Sequence, residues 1–229
     1  MALKPADYAT IDTTSPRKIQ IINKQIRIAN YNFPDTTALK GLCIGLPGAG
    51  SQCERHRDEY RSYGIPDERQ VMVDYNHEVH ISQVNAMKKL RYAGKIVCDS
   101  IMNVVENKWN NNETIDIIDY DGVSYMLEEH EQAIKLAGKN DVKIFNLVMT
   151  SRCNMMTDCH ERWKKELKLK AYRNRYGNLA QPIRNIQVGA VTNIAQKAGF
   201  NVFWEAYRGH GSPMVAFFLI NKKFANKPK

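Results

Sequence analysis

The chain has 229 residues, 43% of them hydrophobic and 25% charged, which is an ordinary globular composition. No apolar run is long enough to span a bilayer, so a membrane-spanning helix is excluded, and no repeat or low-complexity segment suggests a fibrous protein. The net charge of +9 favours a polyanionic partner, although a generally basic surface without such a partner would give the same value.

The cysteines and the first residues of the chain indicate the cellular compartment of the protein. Residues 1–7 lack the apolar core of a secretory signal peptide. The five cysteines are an odd number, and three of them fall in predicted strands or in the helix after a glycine-rich turn. These positions favour free thiols over a disulfide framework, so we expect a reduced protein in the cytoplasm.

A helix is predicted near the N-terminus. Ser15-Pro16 is typical of an N-cap followed by the first helical position, and isoleucines follow at helical spacing up to about residue 29. Asn32-Phe33-Pro34-Asp35 ends the pattern. We therefore assign residues 1–40 to an N-terminal helical extension and residues 41–229 to an α/β domain.

A glycine-rich turn follows the first predicted strand, 42–46. The run Gly45-Leu46-Pro47-Gly48-Ala49-Gly50 leads into a helix predicted over 51–63, because Ser51 and Glu54 have the spacing of a capping box. A strand, glycine loop and helix in this order present backbone N–H groups and a positive helix end to a nucleotide-like ligand. We therefore expect the protein to bind a small molecule here.

Strands and helices alternate up to residue 149 and predict a parallel sheet that is covered by helices on both faces. The further strands are predicted at 70–74, 95–99, 114–120 and 142–149, and the further helices at 82–92 and 124–137. A mostly helical insertion occupies about 151–200. Segments 201–207 and 214–220 are then predicted to form an antiparallel hairpin.

Acidic residues stand at the ends of several predicted strands. Asp74 and Asp99 end the second and third strands, and Asp119 and Asp121 lie at the end of the fourth. Ligands of doubly wound sheets bind at this edge, where an acid after the second strand can accept hydrogen bonds from both ribose hydroxyls. Enzymes that use dinucleotides and enzymes that use S-adenosylmethionine share this arrangement.

The predicted terminal hairpin separates these two classes. Rossmann dehydrogenases usually continue in parallel strands, whereas an antiparallel last strand resembles the class I S-adenosylmethionine-dependent methyltransferases. The resemblance covers about residues 40–222. It implies a Rossmann-like α/β fold with a seven-stranded mixed sheet, an antiparallel last strand and helices on both faces.

The resemblance also implies S-adenosyl-L-methionine as the cofactor. In that family the glycine loop holds the methionine part, the acid after the second strand binds the ribose, and an acid near the third strand contacts the adenine. The matching and adjoining residues of this chain are Leu46, Gly48, Gly50, Asp74, Tyr75 and Asp99. Ile44 replaces an acid that the family usually has, and Leu46 replaces its first glycine, which leaves open a member without catalytic activity.

The segment Ile118-Asp119-Tyr120-Asp121-Gly122 occupies the place where the family holds the transferred methyl group. It is faintly similar to the Asp-Leu-Asp-Pro-Tyr-Gly type segment of tRNA guanine-N2 methyltransferases. The resemblance therefore implies Asp119 and Asp121 as catalytic residues, with Asp119 orienting the acceptor. The alternative is that Asp119 caps the next turn and that Asp121-Gly122 is only a turn.

Basic and aromatic residues are interleaved in segment 163–176, a pattern that suits phosphate neutralisation and base stacking. An amphipathic helix with Trp163 and Leu167 in the core and solvated lysines explains the same pattern. The predicted nucleic-acid-binding residues are Lys164, Lys165, Lys168, Lys170, Arg173 and Arg175.

The histidines and the remaining cysteines give weaker signals. His130 lies on the apolar face of its helix, which favours a hydrogen-bonded core histidine over a catalytic one. His77 and His80 are predicted in a loop that lines the cofactor pocket. Cys153 and Cys159 are spaced more widely than common zinc ligands and lack a second pair, so we predict no metal site.

Together these features predict an S-adenosylmethionine-dependent methyltransferase that acts on nucleic acid, with RNA slightly favoured over DNA. The alternative is a methyltransferase-like domain that binds nucleic acid or a partner protein without turnover. A nicotinamide-dependent enzyme is a third and weaker interpretation.

Overall fold

A seven-stranded mixed sheet forms the centre of the computed structural model, with the strand order β3-β2-β1-β4-β5-β7-β6. The first five strands are parallel, and β7 runs antiparallel to both β5 and β6. The predicted antiparallel last strand is therefore confirmed. The strands are β1 (Leu42–Gly45), β2 (Gln70–Asp74), β3 (Lys95–Cys98), β4 (Ile115–Tyr120), β5 (Ile144–Thr150), β6 (Phe200–Gly209) and β7 (Ser212–Asn221).

The structure describes residues 16–34, 38–48, 50–121, 127–151, 158–169, 172–173, 179–180, 183–209 and 212–226. Its helices are α1 (Pro16–Asn32), α2 (Ser51–Ser62), α3 (His77–Lys89), α4 (Ile101–Asn110), α5 (Leu127–Lys139), α6 (Asp158–Glu166) and α7 (Ile183–Lys197). A 3-10 turn spans Asp67–Arg69, and the short strands Tyr172–Arg173 and Leu179–Ala180 pair with each other. None of the described helices is both long and apolar enough to cross a lipid bilayer.

Two apolar layers cover the sheet, as the alternating pattern predicts. On one face, Ala29 of α1 and Tyr60 of α2 pack over Cys43 and Ile117, and α3 extends this layer through Met87. On the other face, α4 to α7 build the larger core. The central strands β4 and β5 are buried along their whole length, since helices cover both of their faces.

The predicted helix 51–63 differs from α2 at its first turn. The N-cap of α2 is Gly50, with a φ of 57°, so Ser51 is the first helical residue and the predicted capping box is wrong. A glycine suits this place because it adopts the left-handed conformation without strain.

Two further helices differ from their predictions. Helix α3 begins at His77, because the Asn76 side chain accepts hydrogen bonds from the Glu78 and Val79 amides at 2.9 and 3.4 Å. His77 and His80 thus lie in a helix, and the predicted loop is wrong. Helix α4 was not predicted at all. Ser100 caps it by accepting from the Asn103 amide at 3.1 Å.

Helix α1 is joined to the sheet by both apolar packing and charge. Arg17 and Lys24 form ion pairs with Glu205 of β6, and Lys18 pairs with Asp121 after β4. The predicted extension over residues 1–40 thus contributes directly to the region where β4 ends. The predicted N-cap Ser15 lies outside the described residues.

Candidate functional site

The glycine loop after β1 has the backbone geometry that its sequence predicts. Gly48 and Gly50 have φ values of 77° and 57°, in the left-handed region that side chains disfavour. A Cβ on Gly48 would lie 2.4 Å from Gln52 Oε1. The Gly48 carbonyl accepts hydrogen bonds from Gln83 Nε2 at 2.9 Å and from Cys53 Sγ at 3.2 Å. Helices α2 and α3 therefore hold the loop in place at the N-terminus of α2. A helix N-terminus favours a polar or anionic ligand group.

Asp74 lies beside this loop at the end of β2, and its carboxylate is half-buried. Oδ1 accepts a hydrogen bond from the Asn76 amide at 2.8 Å. Within the described ranges this is its only hydrogen bond, so Oδ2 can accept from a ligand. Burial raises the pKa of Asp74 above its ordinary value, against the opposing effects of the Asn76 amide and His80.

Asp99 and Tyr75 complete the same edge. The Asp99 amide donates to the Asp74 carbonyl at 3.1 Å, so β2 and β3 end side by side. Asp99 Oδ1 accepts from the Ser100 amide at 2.7 Å and from Asn103 Nδ2 at 2.9 Å, which fixes its carboxylate at the start of α4. The Tyr75 side chain is 80% exposed and can cover a planar ring.

The structure thus brings the predicted cofactor residues to one edge of the sheet, at the ends of the adjacent strands β1, β2 and β3. The Leu46 amide donates to the Asp119 carbonyl at 3.0 Å, which ties the glycine loop to the end of β4. This edge offers a constrained glycine turn, a helix N-terminus and a carboxylate with a free oxygen. Together they suit a ligand that carries a ribose and a charged amino-acid or phosphate group.

Asp119 lies below this edge, with only 3% of its surface exposed. Side chains alternate along a strand, so Asp119 shares the face of Ile117, which α1 and α2 cover. Its Oδ2 accepts a hydrogen bond from the Tyr60 hydroxyl at 2.8 Å and lies 3.2 Å from His56 Nδ1. The predicted contact between Asp119 and a methyl acceptor therefore stays a prediction, and it would require a rearrangement of these partners.

The Asp121 side chain is 9% exposed and pairs with Lys18 of α1. Its Oδ2 lies 3.7 Å from His56 Nε2. Glu59, one turn after His56 on α2, lies 3.6 Å from His56 Nδ1 and accepts a hydrogen bond from the Tyr63 hydroxyl at 3.1 Å. We call these side chains the buried cluster; its members are Lys18, His56, Glu59, Asp119 and Asp121.

Burial and the neighbouring charges perturb the protonation of the buried cluster. Burial raises the pKa of Glu59 to about 7, while the nearby His56 opposes this shift and Asp119 adds to it. Burial alone would raise the pKa of Asp121, but Lys18 and His56 hold it below its ordinary value. Burial would lower the pKa of His56, and Asp119 raises it above the ordinary value instead.

A cavity of ≈ 20 Å³ is lined on one side by the buried cluster and on the other by side chains of α1, β5, β6 and β7, Asn146 of β5 among them. This volume can hold about one water molecule. The ligand-type atoms of His56, Glu59 and Asp119 lie within 4.8 Å of one another around it. In the described part of the chain, neither ring nitrogen of His56 makes a well-aligned hydrogen bond, and Glu59 Oε2 and Asn146 Oδ1 also lack one.

The buried cluster was missed because its members come from α1, α2 and the end of β4. One local signal was present. His56 and Glu59 have the i, i+3 spacing that places two side chains on one face of a helix, and this helix directly follows the glycine loop. The positions of Lys18 and Tyr60 carried no such signal.

The predicted nucleic-acid segment is not one continuous helix. Helix α6 ends at Glu166, and Trp163 is buried, with its Nε1 donating to Glu131 Oε2 at 3.2 Å. Trp163 therefore belongs to the core, as the amphipathic alternative predicts, and cannot stack on a base. Lys164 forms an ion pair with Glu161 at 3.2 Å.

Lys165 and Lys168 are exposed, and within the described ranges neither forms an ion pair. Lys170 and Arg175 lie outside the described residues, and for Arg173 only the backbone is described. The described part of this surface therefore offers Lys165 and Lys168 to a phosphate backbone.

His130 lies in the core, where its ring meets the Tyr120 ring edge-on at 5.0 Å between centroids. Burial and the nearby His160 lower its pKa to about 3. The prediction of a buried histidine agrees with this position. The expected hydrogen bond is not seen, since its ring nitrogens have no partner among the described residues.

No protein-family profile matches the chain, and no curated protein matches its sequence. Solved structures do resemble it. An O-methyltransferase from Bacillus cereus in complex with S-adenosylhomocysteine has a TM-score of 0.57 at 9% identity, covering 94% of this chain and 86% of that chain.

Two further structures give similar values. Magnesium protoporphyrin IX methyltransferase from Synechocystis, with bound S-adenosylhomocysteine, has a TM-score of 0.54 at 9% identity and covers 94% of this chain and 91% of that chain. An S-adenosylmethionine-dependent methyltransferase from Agrobacterium tumefaciens has a TM-score of 0.52 at 10% identity, over 91% of this chain and 63% of that chain. The chain therefore has the fold of the class I S-adenosylmethionine-dependent methyltransferases.

Proposed function

We propose that the protein is an S-adenosylmethionine-dependent methyltransferase. The observation that carries this proposal is the edge formed by the glycine loop and Asp74. There, two left-handed glycines, the N-terminus of α2 and an available carboxylate oxygen stand at the ends of β1 and β2. Two of the solved structures with this fold hold S-adenosylhomocysteine, the product form of the cofactor.

The residues of this edge suggest a binding mode for the cofactor. The methionine part lies over Gly48 and Gly50, near the N-terminus of α2. Asp74 Oδ2 accepts hydrogen bonds from the ribose hydroxyls. Tyr75 covers the adenine, and Asp99, held at the start of α4, accepts from its amino group. Leu46 closes the floor of the site beside β4.

The reaction is an in-line displacement at the sulfonium of the cofactor. The acceptor lone pair forms a bond to the methyl carbon while the sulfur–carbon bond breaks, and its electron pair stays on sulfur to give S-adenosylhomocysteine. An N–H or O–H acceptor then releases its proton. The protein mainly supplies proximity and alignment for this step.

Asp119 and Asp121 are proposed to act on the acceptor side. The backbone carbonyl of Asp119 contacts the glycine loop of the proposed cofactor site, because it accepts a hydrogen bond from the Leu46 amide. The Asp119 carboxylate lies in the buried cluster. If Asp119 orients the acceptor, Asp119→Asn lowers turnover far more than cofactor affinity. If Asp119 acts only through its backbone carbonyl, which the substitution leaves in place, both quantities stay close to those of the wild type.

We propose nucleic acid as the acceptor class, with RNA favoured over DNA. The net charge of +9 supports a polyanionic substrate, and Lys165 and Lys168 are exposed on one surface. A base within a duplex or stem would have to leave its stack to reach the edge of the sheet.

A second candidate is a domain that binds nucleic acid or a partner protein without turnover. Two observations favour it. Ile44 and Leu46 replace an acid and a glycine of the usual family pattern, and the Asp119 carboxylate is buried while the Asp121 side chain is only 9% exposed.

A reducing compartment such as the cytoplasm is the proposed location. Cys43, Cys53, Cys98 and Cys159 are free thiols, and three of these four are buried.

The function is tested by two measurements on the full chain. Calorimetry with S-adenosylmethionine, S-adenosylhomocysteine and NAD should show binding of the first two only. Labelled-methyl transfer onto total RNA, DNA and protein fractions should then mark RNA. Cofactor binding without transfer to any fraction favours the second candidate, and binding of NAD alone contradicts both.

A further inference from the structure

The buried cluster contains an imidazole and two carboxylates whose ligand-type atoms lie within 4.8 Å of one another, and all three side chains line the same small cavity. We infer that His56, Glu59 and Asp119 form a binding site for one divalent transition-metal ion, with zinc as the ion that suits this ligand set best. Zinc binds imidazole nitrogen and carboxylate oxygen in sites with three protein ligands, where water takes the fourth position. This site lies apart from the proposed cofactor edge but shares the Asp119 carboxylate with the proposed acceptor side, and the inference does not depend on methyl transfer.

The distances between the ligand atoms support this inference. His56 Nδ1 lies 3.2 Å from Asp119 Oδ2 and 3.6 Å from Glu59 Oε2. Zinc bonds to nitrogen and oxygen are about 2.0–2.2 Å long, so neighbouring ligands in tetrahedral geometry lie about 3.4 Å apart. The observed distances fall on either side of this value.

The side chains are buried, yet some of their polar atoms lack a hydrogen-bond partner. His56 and Glu59 are 2% and 5% exposed. His56 Nδ1 and Glu59 Oε2 have no well-aligned hydrogen bond among the described residues. An unsatisfied buried polar group is costly, so an occupant of the cavity that both residues line would stabilise these atoms. Its volume of ≈ 20 Å³ admits a single ion or water.

The charges of the cluster balance when a divalent ion is present. Among the five side chains of the cluster, Glu59, Asp119 and Asp121 bring three negative charges and Lys18 offsets one of them, while Arg55 next to the cluster also acts on Asp121. A divalent ion would neutralise the other two while His56 stays a neutral ligand. Without the ion, protons on both His56 and Glu59 would give the same balance among these five side chains.

Neighbouring side chains already hold the three ligands in place, as outer partners do in known metal sites. The Tyr60 hydroxyl donates to Asp119 Oδ2 at 2.8 Å, and the Tyr63 hydroxyl donates to Glu59 Oε1 at 3.1 Å. Asp121 Oδ2 lies 3.7 Å from His56 Nε2, the ring nitrogen opposite the proposed metal-binding one. Asn146 Oδ1, or a water molecule, is available as the fourth ligand.

The experiment uses the full chain, stripped of metal with a chelator and then titrated with Zn²⁺ and Co²⁺. Zinc content is measured by mass spectrometry after removal of free ion, and the Co²⁺ form by visible absorption. We expect one ion per chain, the d–d bands of four-coordinate Co²⁺, and a higher melting temperature with zinc.

Variants locate the ion. His56→Gln and Glu59→Gln should weaken zinc binding by at least the roughly 10- to 100-fold that loss of an outer partner costs, and Tyr60→Phe should weaken it within that range. Glu54→Gln and His77→Gln, at exposed positions on α2 and α3, are the matched controls and should bind zinc as the wild type does. Far-UV circular dichroism establishes that each variant is folded.

Two results would overturn the inference. One is a wild-type protein that takes up no more zinc or cobalt than His56→Gln and Glu59→Gln do. The other is an equal loss of binding in the Glu54→Gln or His77→Gln control. Either result assigns the cavity to a water molecule and the charge balance to protons. Calorimetry with S-adenosylhomocysteine on the stripped protein reports separately on the proposed cofactor site.

Discussion

Tyr60 donates a hydrogen bond of 2.8 Å to Asp119 Oδ2, and Gly45 of β1 leaves the space in which this bond forms. A Cβ on Gly45 would lie 2.0 Å from the Tyr60 hydroxyl oxygen and 3.1 Å from Asp119 Cβ. The last residue of β1 is therefore limited to glycine by packing from α2 and β4, whereas Gly48 and Gly50 are limited by their backbone conformation.

Gly45→Ala should destabilise the protein by about 1–3 kcal/mol, the usual cost of adding a methyl group to a filled core. Tyr60→Phe in the Gly45→Ala background should recover part of this loss, because it removes the oxygen that the new methyl meets. Urea unfolding of both single variants and the double variant measures the coupling. Purely additive effects would show that the two residues do not compete for the same space.

Lys18→Met should cost about 3–5 kcal/mol of unfolding free energy, because it leaves Asp121 buried without its ion-pair partner. The double variant Lys18→Met/Asp121→Asn should be less destabilised than Lys18→Met alone. Lys24→Met is the matched control on the same helix. Lys24 is 64% exposed in its pair with Glu205, so its loss should cost under about 1 kcal/mol.

Sequence patterns were sufficient for the sheet and for the open edge, because their signals are local. The apolar run of β5 and the two segments around residues 210–211 predict the strands and the terminal hairpin directly. Asp74 is the last residue of β2 and Asp99 directly follows β3, so parallel pairing alone brings them together. Helix α3 was predicted too short because its first turn is polar and its start depends on the Asn76 cap.

The buried cluster depends on long-range packing instead. Lys18 and Asp121 are 103 residues apart, and nothing near either residue identifies the other as its partner. Asp119 is buried because its side chain lies on the face of β4 that α1 and α2 cover. A strand-end aspartate was therefore predictable from sequence, but its burial was not.

Acid should destabilise the protein partly through His130. Its pKa is about 3 in the fold, against an ordinary 6.5. Between these values the unfolded chain binds a proton that the folded protein does not, so stability falls as the pH drops below 6.5. The loss is about 1.4 kcal/mol for each pH unit, and none is expected above pH 6.5.

The check on His130 compares wild type with His130→Leu by urea unfolding between pH 7 and pH 4. Tyr120 and His160 face the same ring, and both remain in the variant. The difference in unfolding free energy between the two proteins should change steadily in favour of the variant below pH 6.5. A constant difference over this range would mean that His130 is protonated in the folded protein.

Asp74→Asn should weaken binding of S-adenosylhomocysteine, because it removes the charge from the proposed ribose acceptor. A hydrogen bond to a charged group contributes about 1.5–3 kcal/mol, which corresponds to roughly 10- to 150-fold in Kd. Asp58→Asn, an exposed position on α2, is the control and should leave Kd unchanged. Calorimetry measures both variants, and an unchanged Kd for Asp74→Asn would place the ribose elsewhere.

Lys165→Glu/Lys168→Glu should weaken binding to RNA and also flatten its salt dependence. Each phosphate contact contributes about 0.7–0.9 to the slope of log K against log salt, because a bound cation releases a counterion. Losing two contacts should therefore lower the slope by about 1.4–1.8.

Lys88→Glu/Lys89→Glu, which reverses two exposed charges at the end of α3, changes the net charge equally and serves as the control. Fluorescence anisotropy with a labelled RNA stem-loop from 50 to 300 mM salt measures both double variants. Equal weakening by the two would indicate attraction to the overall charge of the protein, and the surface at the end of α6 would then not be the binding site.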